Sequence, residues 1–256
     1  MWDSLAPPHR ALLRDDVLWL AQLLEGETSL SQLVDPRGFT LEELAGQLGS
    51  YRCWRLLVSQ RSGAFPHFTI LRPSHRQRER MDSDRLLQLM GVCYSSQLRF
   101  SSWEAREQLF GAIPSFDELK VGGLVEGAPP QEELYTNNTI IWLGEPLGFG
   151  LMNNRPIPQG GYIGEYTGLL RSTMSYVPLE GRYSAHYPTQ PGHRDYAIDA
   201  RFWGNEMRYV NHSWQPNLVP IWHYDRGLLR LYYVAERSIA RGEQLTINYG
   251  SGFWGR

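Results

Sequence analysis

The sequence predicts an α+β protein, with α-helices in the first part of the chain and small curled β-sheets in the second. Two observations predict this arrangement. In the first part, apolar residues recur at steps of three and four, as they do on one face of a helix. From residue 121 onward, short β-rich runs alternate with Gly, Pro and Asn turns, a spacing typical of small sheets and not of a wound parallel sheet.

The composition excludes several classes of protein. The chain has 256 residues, of which 42% are hydrophobic and 20% charged, so it can build a packed core. A formal net charge of −2 excludes a polycation, and no direct nucleic-acid site is evident. The sequence shows neither an apolar run of the roughly 18 residues that a membrane span needs nor a signal-peptide layout, so no membrane partner is expected. Cys53 and Cys93 are too few for a disulfide scaffold or a multi-thiolate zinc cluster, which predicts a reducing compartment and no metal.

The helices of the first part can be predicted in order. One apolar stripe spans residues 12–24, and a second spans residues 41–58 with an interruption at Gly49. Residues 84–90 and 101–110 predict two further helices. Ser101 or Ser102 is the expected N-cap of the last one, and Pro114 is expected to end it.

One segment between the stripes carries a repeat-like pattern. Asp35, Gly38 and Thr40 are followed by Leu-Ala and then, four residues later, by Gly49, an order that resembles an ankyrin repeat. A shift of about 33 positions, the ankyrin period, places Leu23-Leu24 on Leu56-Leu57. A plain helical cap without repeats is the alternative. We therefore predict a helical N-terminal domain over residues 1–112 and leave its ankyrin character open.

Glycine and proline mark the predicted boundary between the two parts. Gly122-Gly123 and the Gly-Ala-Pro-Pro run that ends at Pro130 predict a linker over residues 113–134. A second domain is then expected over residues 135–250, followed by a short aromatic tail over 251–256. The predicted strands of the second domain are 139–143, 162–166, 196–198, 228–235 and 244–249.

Four segments of the second domain carry residues suited to chemistry. Each is weak alone, because a Gly-x-Gly pair without a following helix is usually only a turn. Their order and spacing are informative when they are taken together. The segments are Gly148-Phe-Gly with Gly164-Glu-Tyr-Thr-Gly168; Tyr196-Ala-Ile-Asp-Ala with Gly204-Asn205; Arg208-Tyr-Val-Asn211-His212-Ser with Pro216-Asn217; and Gly242-Glu-Gln-Leu-Thr-Ile247-Asn-Tyr249-Gly.

In this order the segments resemble the SET domain of protein-lysine methyltransferases, over about residues 135–250. The resemblance implies small curled sheets with a pseudoknot-like closure. It also implies transfer of a methyl group from S-adenosyl-L-methionine to a lysine amine, an in-line displacement in which positioning and a dry, polar-lined channel carry most of the catalysis. The helical first part would then help to choose or present the protein substrate.

The resemblance also implies roles for individual residues. Tyr249 matches the catalytic tyrosine, whose hydroxyl would orient the amine, and Tyr166 would share that work. The lysine channel would be lined by Tyr166, Tyr196 and Ile247. The cofactor would be held by Gly148, Phe149, Gly150, Tyr183, Arg208, Asn211, His212, Phe253 and Trp254.

Two departures from the family pattern affect these expectations. Ile247 stands where relatives commonly have Phe or Tyr, and a side chain without a hydroxyl predicts methylation beyond the monomethyl state. Trp214 stands where many relatives have a zinc-binding Cys, and no Cys follows Tyr249. The zinc clusters that flank many SET domains are therefore not expected. Phe253 and Trp254 would cover the cofactor in their place.

The substrate is expected to be a lysine-containing protein tail, most simply a histone tail. About 28 residues separate the first and second segments, which favours a compact, histone-type arrangement over the large insertion of non-histone branches. A non-histone substrate and an adaptor with an inactive SET domain are the alternatives. A histone substrate predicts the nucleus, or a host-cell nucleus if the protein is a secreted effector.

Overall fold

A computed structural model describes residues 5–26, 33–61, 67–71, 78–113, 115–118, 124–129, 134–135, 138–173, 183–189 and 196–250. The helices are α1 (Pro7–Leu13), α2 (Val17–Gly26), α3 (Leu41–Leu48), α4 (Tyr51–Arg61), α5 (Ser83–Met90) and α6 (Trp103–Ala112). The strands are β1 (His67–Leu71), β2 (Arg78–Asp82), β3 (Cys93–Tyr94), β4 (Val125–Glu126), β5 (Thr139–Trp142), β6 (Phe149–Met152), β7 (Tyr162–Glu165), β8 (Leu169–Ser172), β9 (Ser184–Tyr187), β10 (Tyr196–Asp199), β11 (Trp203–Gly204), β12 (Asn211–His212), β13 (Leu218–Asp225), β14 (Leu228–Ala235) and β15 (Gln244–Ile247).

The predicted α+β class is confirmed. The first apolar stripe, residues 12–24, begins at the end of α1 and continues through α2, and the second stripe forms α3 and α4. Ser102 is the N-cap of α6, where its hydroxyl accepts a hydrogen bond from the Ala105 N–H at 3.1 Å. None of the helices in the described part of the chain has the length and apolar character needed to span a lipid bilayer.

Helix α3 begins with the cap that the sequence indicates. The Thr40 hydroxyl accepts from the Glu43 N–H at 3.3 Å, and the Glu43 carboxylate accepts from the Thr40 N–H at 2.9 Å, which together form a capping box. Asp35 fixes the preceding turn by accepting from the Phe39 N–H at 2.9 Å. Gly49 ends the helix in the left-handed conformation. The ankyrin assignment of this helix pair stays a prediction.

The strands of the described residues form four small sheets. The largest has six strands in the order β12-β15-β6-β5-β1-β2, and a second has four in the order β4-β13-β14-β7. The other two have the orders β8-β10-β9 and β11-β3. Short strands in several sheets bring residues that are distant in sequence to the same place, which is how the chemistry-bearing segments meet.

The sheets cross the boundary that we predicted between the two parts. Strand β1, which the helical interpretation did not include, pairs with β5 in parallel, and β3 pairs with β11. Residues of the predicted linker contribute β4, which pairs with β13. The buried side chains of both parts form one apolar cluster that includes Leu44 and Leu229. Neither the described strand pairings nor the apolar core shows a boundary near residues 112 or 134. The division of the chain there stays a prediction.

Candidate active site

A cavity of about 260 Å³ lies where β9, β13, β14 and β15 approach one another. Five of the residues predicted from the sequence line it. They are Tyr166, Tyr183, Arg208, Ile247 and Tyr249. The structure thus places both predicted catalytic tyrosines, one predicted channel residue and two predicted cofactor-binding residues at a single site, although they come from segments more than eighty residues apart.

Tyr249 lies two residues after the end of β15 and is held from two sides. Its hydroxyl donates a hydrogen bond to the Val210 carbonyl oxygen at 2.8 Å, and its backbone N–H donates to Nδ1 of His212 at 3.1 Å. Burial raises the pKa of the Tyr249 phenol to about 12. The phenol is therefore neutral at physiological pH and presents a fixed hydroxyl dipole to the cavity.

Two other buried phenols share the cavity with Tyr249. The Tyr166 N–H donates to the Leu231 carbonyl oxygen at 2.7 Å, and its ring centroid lies 5.8 Å from that of Tyr233. Burial raises the pKa of both Tyr166 and Tyr233. No Asp or Glu is found among the described residues that line the cavity. A lysine side chain that enters it would leave water without gaining a carboxylate partner, a setting that favours the neutral amine.

Arg208 gives the cavity a buried positive charge. The residue is only 8% exposed, and its guanidinium donates to the carbonyl oxygens of Ala200 at 2.8 Å and Arg201 at 3.2 Å. The cation also lies 4.0 Å from the centre of the Tyr183 ring. Within the described part of the chain, no ion pair includes Arg208. A buried cation with only carbonyl and aromatic partners is suited to bind an anionic ligand group.

Tyr183 itself has an unusual backbone conformation. Its φ is +65°, a region that residues other than glycine seldom adopt. The Tyr183 carbonyl oxygen accepts from the Ala200 N–H at 2.8 Å, which helps to hold this conformation. Tyr183 is 41% exposed, and it lines the cavity beside Arg208. A strained residue that presents an exposed aromatic ring next to a buried cation is typical of a ligand-binding position.

Asn211 and His212 lie behind the cavity, on the strand that pairs with β15. Strand β12 places Asn211 opposite Thr246 and His212 opposite Ile247. The Asn211 amide donates to the Phe149 carbonyl oxygen at 3.1 Å, and the His212 and Tyr249 rings lie 5.4 Å apart. Asn211, His212 and Phe149 therefore join the glycine-containing strand β6 to Tyr249, although none of the three lines the cavity itself.

Glycine is needed on each side of Phe149 for a different physical reason. Gly148 has a φ of +70° and closes a turn in which its N–H donates to the Gly144 carbonyl oxygen at 2.8 Å. At Gly150, an added Cβ would lie 2.6 Å from Leu143 Cδ1 and 3.2 Å from the Asn211 amide nitrogen. Both glycines are thus required by the fold itself. Their predicted approach to a cofactor stays a prediction.

One of the predicted site residues that the structure describes is not part of this arrangement. Tyr196 lies on β10, which pairs with β9, and it is absent from the described residues that line the cavity. Strand β9 contributes to the wall instead, through Ser184, Ala185 and His186. The rule that strand residues alternate between faces could not show which of two neighbouring strands borders the site. Phe253 and Trp254 lie outside the described residues.

The sequence interpretation missed the wall that β13 and β14 provide. Trp222, Leu231 and Tyr233 line the cavity from these two strands. All eight residues of β14 are buried, so the strand has apolar and aromatic residues on both faces. A run of this kind predicts a buried strand without indicating which side faces a ligand, and this is why its role was not foreseen.

Comparison with known families identifies the second part of the chain. A family model described as "SET domain" matches residues 148–250. A histone-lysine N-methyltransferase named EHMT1 from Mus musculus is 36% identical over 119 residues, which cover 44% of this chain and 9% of the mouse protein. An H3 lysine-36 specific histone-lysine N-methyltransferase from Candida albicans is 33% identical over 131 residues, which cover 49% of this chain and 15% of the yeast protein.

One solved structure with a matching region is a Polycomb repressive complex 2 from Chaetomium thermophilum bound to S-adenosylmethionine. The match has a TM-score of 0.36 and 30% identity, and it covers 42% of this chain and 14% of the matched chain. KRYPTONITE in complex with DNA and SAH gives a TM-score of 0.42 and 24% identity over 51% of this chain and 30% of that one. Each curated relative named above is matched over less than a fifth of its own length. The sequence match over residues 148–250 confirms the predicted SET domain, whereas the predicted start of that domain at residue 135 stays a prediction.

Proposed function

We propose that this chain, which carries a SET domain over residues 148–250, is an S-adenosyl-L-methionine-dependent protein-lysine N-methyltransferase. The observation that carries the proposal is the composition of the cavity. Neutral phenols at Tyr166 and Tyr249, a buried cation at Arg208 and an apolar wall meet there without a carboxylate among the described lining residues. The names of the matched relatives support the same reaction.

The residues present fit the cofactor. S-adenosylmethionine, when bound, supplies a methyl group on a positively charged sulfur. Its amino-acid end carries a carboxylate, and the Arg208 guanidinium is the buried cation available to bind it. Asn211 and His212, whose β12 backbone borders the Tyr249 strand, would hold the remainder of the cofactor together with Phe149. Phe253 and Trp254 of the tail would cover it.

The cavity would prepare the lysine for transfer. A free lysine has a pKa near 10.4, so holding it neutral at pH 7.4 costs about 4 kcal/mol unless the site assists. Desolvation against Trp222, Leu231 and Tyr233 favours the neutral amine. The Tyr249 hydroxyl, fixed by Val210, would orient the amine lone pair without taking its proton, because its own pKa is about 12.

The degree of methylation and the substrate are finer parts of the proposal. Ile247 lines the cavity without a hydroxyl that could retain a water, and we propose that this allows methylation beyond the monomethyl state. A histone tail is the substrate we propose first, since the matched relatives are named as histone-lysine methyltransferases. Such a substrate would place the protein in a nucleus.

A filter assay with radiolabelled S-adenosylmethionine and core histones tests the proposal. The wild-type protein should transfer label to a histone, and Tyr249→Phe should lose most of this activity while retaining affinity for S-adenosylhomocysteine. Transfer by Tyr249→Phe at the wild-type rate would contradict the role of Tyr249. S-adenosylhomocysteine binding without transfer to histones or to any protein of a whole-cell lysate would favour the inactive adaptor, and label on a non-histone protein alone would replace only the substrate.

A further inference from the structure

The turn between β13 and β14 docks onto the helical first part of the chain. Arg226, at this turn, has a φ of +50°, a conformation that costs free energy for a residue other than glycine. Its guanidinium donates to both carboxylate oxygens of Glu43 in α3, at 2.6 and 3.0 Å, and to the Gly38 carbonyl oxygen at 2.8 Å. The same guanidinium lies 4.0 Å from the centre of the Phe39 ring. These contacts offset the strain at the turn.

From this contact, a chain of ion pairs leads into the SET domain. Arg226 pairs with Asp225 at 3.1 Å, and Asp225 pairs with Arg230 of β14 at 3.2 Å. Arg230 in turn donates to the Glu165 carboxylate at 2.5 Å, and Glu165 directly precedes Tyr166 of the cavity. Although burial alone would raise the pKa of Glu43, its hydrogen bonds from Arg226 lower it, in agreement with a charged pair.

The hairpin that this turn closes carries one wall of the cavity. Strands β13 and β14 provide Trp222, Leu231 and Tyr233. The opposite wall, β9, is tied to the hairpin because the Tyr187 hydroxyl accepts from the Leu229 N–H at 2.9 Å. The Tyr187 and Trp222 rings also pack edge to face, with centroids 5.6 Å apart. A contact that holds the turn in place would therefore hold both walls of the cavity, the hairpin directly and β9 through Tyr187.

We propose that Glu43 is a positioning residue for the lysine-binding walls of the cavity, and that the helical first part is consequently a working part of the catalytic unit. Glu43 touches neither the cavity nor the residues we assign to the cofactor. It acts through Arg226, whose strained turn sets the position of the hairpin. The kinetic part of this inference depends on the proposed function, whereas its structural part does not.

The test compares Glu43→Gln with a matched control in the same region. Glutamine keeps the helix cap, because a capping box accepts Gln as well as Glu, but it removes the charge that Arg226 needs. Glu107→Gln is the control, since the Glu107 carboxylate also accepts from two arginines, Arg106 at 2.9 Å and Arg37 at 3.2 Å, without contacting the hairpin.

Two measurements on the full chain decide the outcome. Hydrogen–deuterium exchange of the free protein should be faster in Glu43→Gln at residues 183–189 and 218–235, and unchanged there in Glu107→Gln. With core histones as the probe, Glu43→Gln should raise the KM for histone about tenfold, with kcat and the Kd of S-adenosylhomocysteine within about twofold of the wild-type values. Arg226→Gln should behave in the same way, and the double variant should be no worse than either single variant.

The proposal is overturned if Glu43→Gln leaves exchange in these two segments unchanged, or if its KM and kcat match those of Glu107→Gln. A parallel loss of histone turnover and S-adenosylhomocysteine binding would also overturn it, because that result indicates general destabilisation. If the proposed function is wrong, the wild-type protein will transfer no methyl group, a result that differs from all of these. The exchange measurement would then still decide whether Glu43 holds the walls.

Discussion

At the residue scale, the Tyr249 phenol connects the structure with a pH dependence. Its hydroxyl donates to Val210 at 2.8 Å, and burial raises its pKa to about 12 from an ordinary value of 10.0. The phenol therefore stays protonated while the substrate amine, with a pKa near 10.4, loses its proton. We expect kcat/KM to rise by about tenfold per pH unit between pH 7 and 9 and to show no falling limb below pH 10.

The same shift has a consequence for stability. A phenol whose pKa is raised on folding contributes stability that is fully present below pH 10 and is lost as the pH rises toward about 12. Titration of Tyr249 should therefore not unfold the protein below pH 10. A rate profile that falls between pH 8 and 9 while the protein remains folded by circular dichroism would contradict the neutral role of Tyr249.

Arg208 allows a test of the cofactor orientation at the same scale. We expect Arg208→Gln to weaken binding of S-adenosylhomocysteine about tenfold or more, since a charge-assisted hydrogen bond to the carboxylate is lost. Binding of 5′-methylthioadenosine, which lacks the amino-acid end, should change little. Isothermal titration calorimetry with both ligands separates the two effects. Equal loss of affinity for both would indicate that Arg208 only supports the fold.

Ile247 determines the expected product. It lines the cavity at the end of β15, two residues before Tyr249. We expect wild-type protein with excess cofactor to form di- or trimethyl-lysine, and Ile247→Tyr to stop at monomethyl-lysine because the added ring and hydroxyl occupy the space. Mass spectrometry of the methylated histone distinguishes these products. Monomethyl-lysine alone from the wild-type protein after a long reaction would refute the hypothesis.

At the element scale, strand β6 tests how tightly the site is packed. In Gly150→Ala the new Cβ would lie 2.6 Å from Leu143 Cδ1 and 3.2 Å from the Asn211 amide nitrogen. We expect a loss of about 1–3 kcal/mol in the free energy of unfolding, together with weaker S-adenosylhomocysteine binding as Asn211 moves. Gly111→Ala is the control, because no heavy atom lies within 4 Å of its Cβ position and it belongs to α6. It should be neutral or stabilising. Equal effects of the two substitutions in urea unfolding would contradict the packing argument.

The helices and strands that the sequence predicts are those whose determining residues lie within the same short segment. The helix α3 has its cap and its terminal glycine within the segment, and β14 coincides with the predicted run over 228–235. Strand β2 was missed because it contains Arg78, Arg80 and two acids and so lacks the usual strand pattern; β1 was missed although its run of Phe, Thr and Ile is typical of a strand. Both strands are held in the sheet through the pairing of β1 with the distant strand β5, which one segment of sequence cannot show.

The residues of the candidate site divide in the same way, into those that a local motif predicts and those that distant contacts bring into place. Motif residues such as Tyr166 and Tyr249 were predicted, because their type and spacing point to the chemistry. The walls were not, because Trp222 and Tyr233 belong to a hairpin, and which of its faces borders the cavity is set by contacts between segments that are distant in sequence. The motif predicts Tyr196 in the channel; residues of the neighbouring strand β9 line the cavity and Tyr196 does not, so its channel role stays a prediction.

At the scale of the whole molecule, the two parts of the chain share sheets and a core. Strand β1 covers the edge of β5 through the pairs Thr69 with Thr139 and Ile70 with Ile140. A fragment of residues 113–256 would expose this apolar edge and lose the Glu43 contact with Arg226. We expect the fragment to aggregate or to melt at a much lower temperature than the full chain. A monomeric fragment with a cooperative transition within a few degrees of the full-length Tm would contradict this integration.

The central claim is that the cavity beside Tyr249 is where a methyl donor and a lysine amine meet. A crystal structure of the full chain with S-adenosylhomocysteine tests it most directly. We predict the ligand's carboxylate on Arg208, its adenine beside Asn211 and His212, and its sulfur directed toward the Tyr249 hydroxyl across the cavity. A nucleoside bound away from Asn211, or a Tyr249 phenol turned out of the cavity in the complex, would contradict the claim.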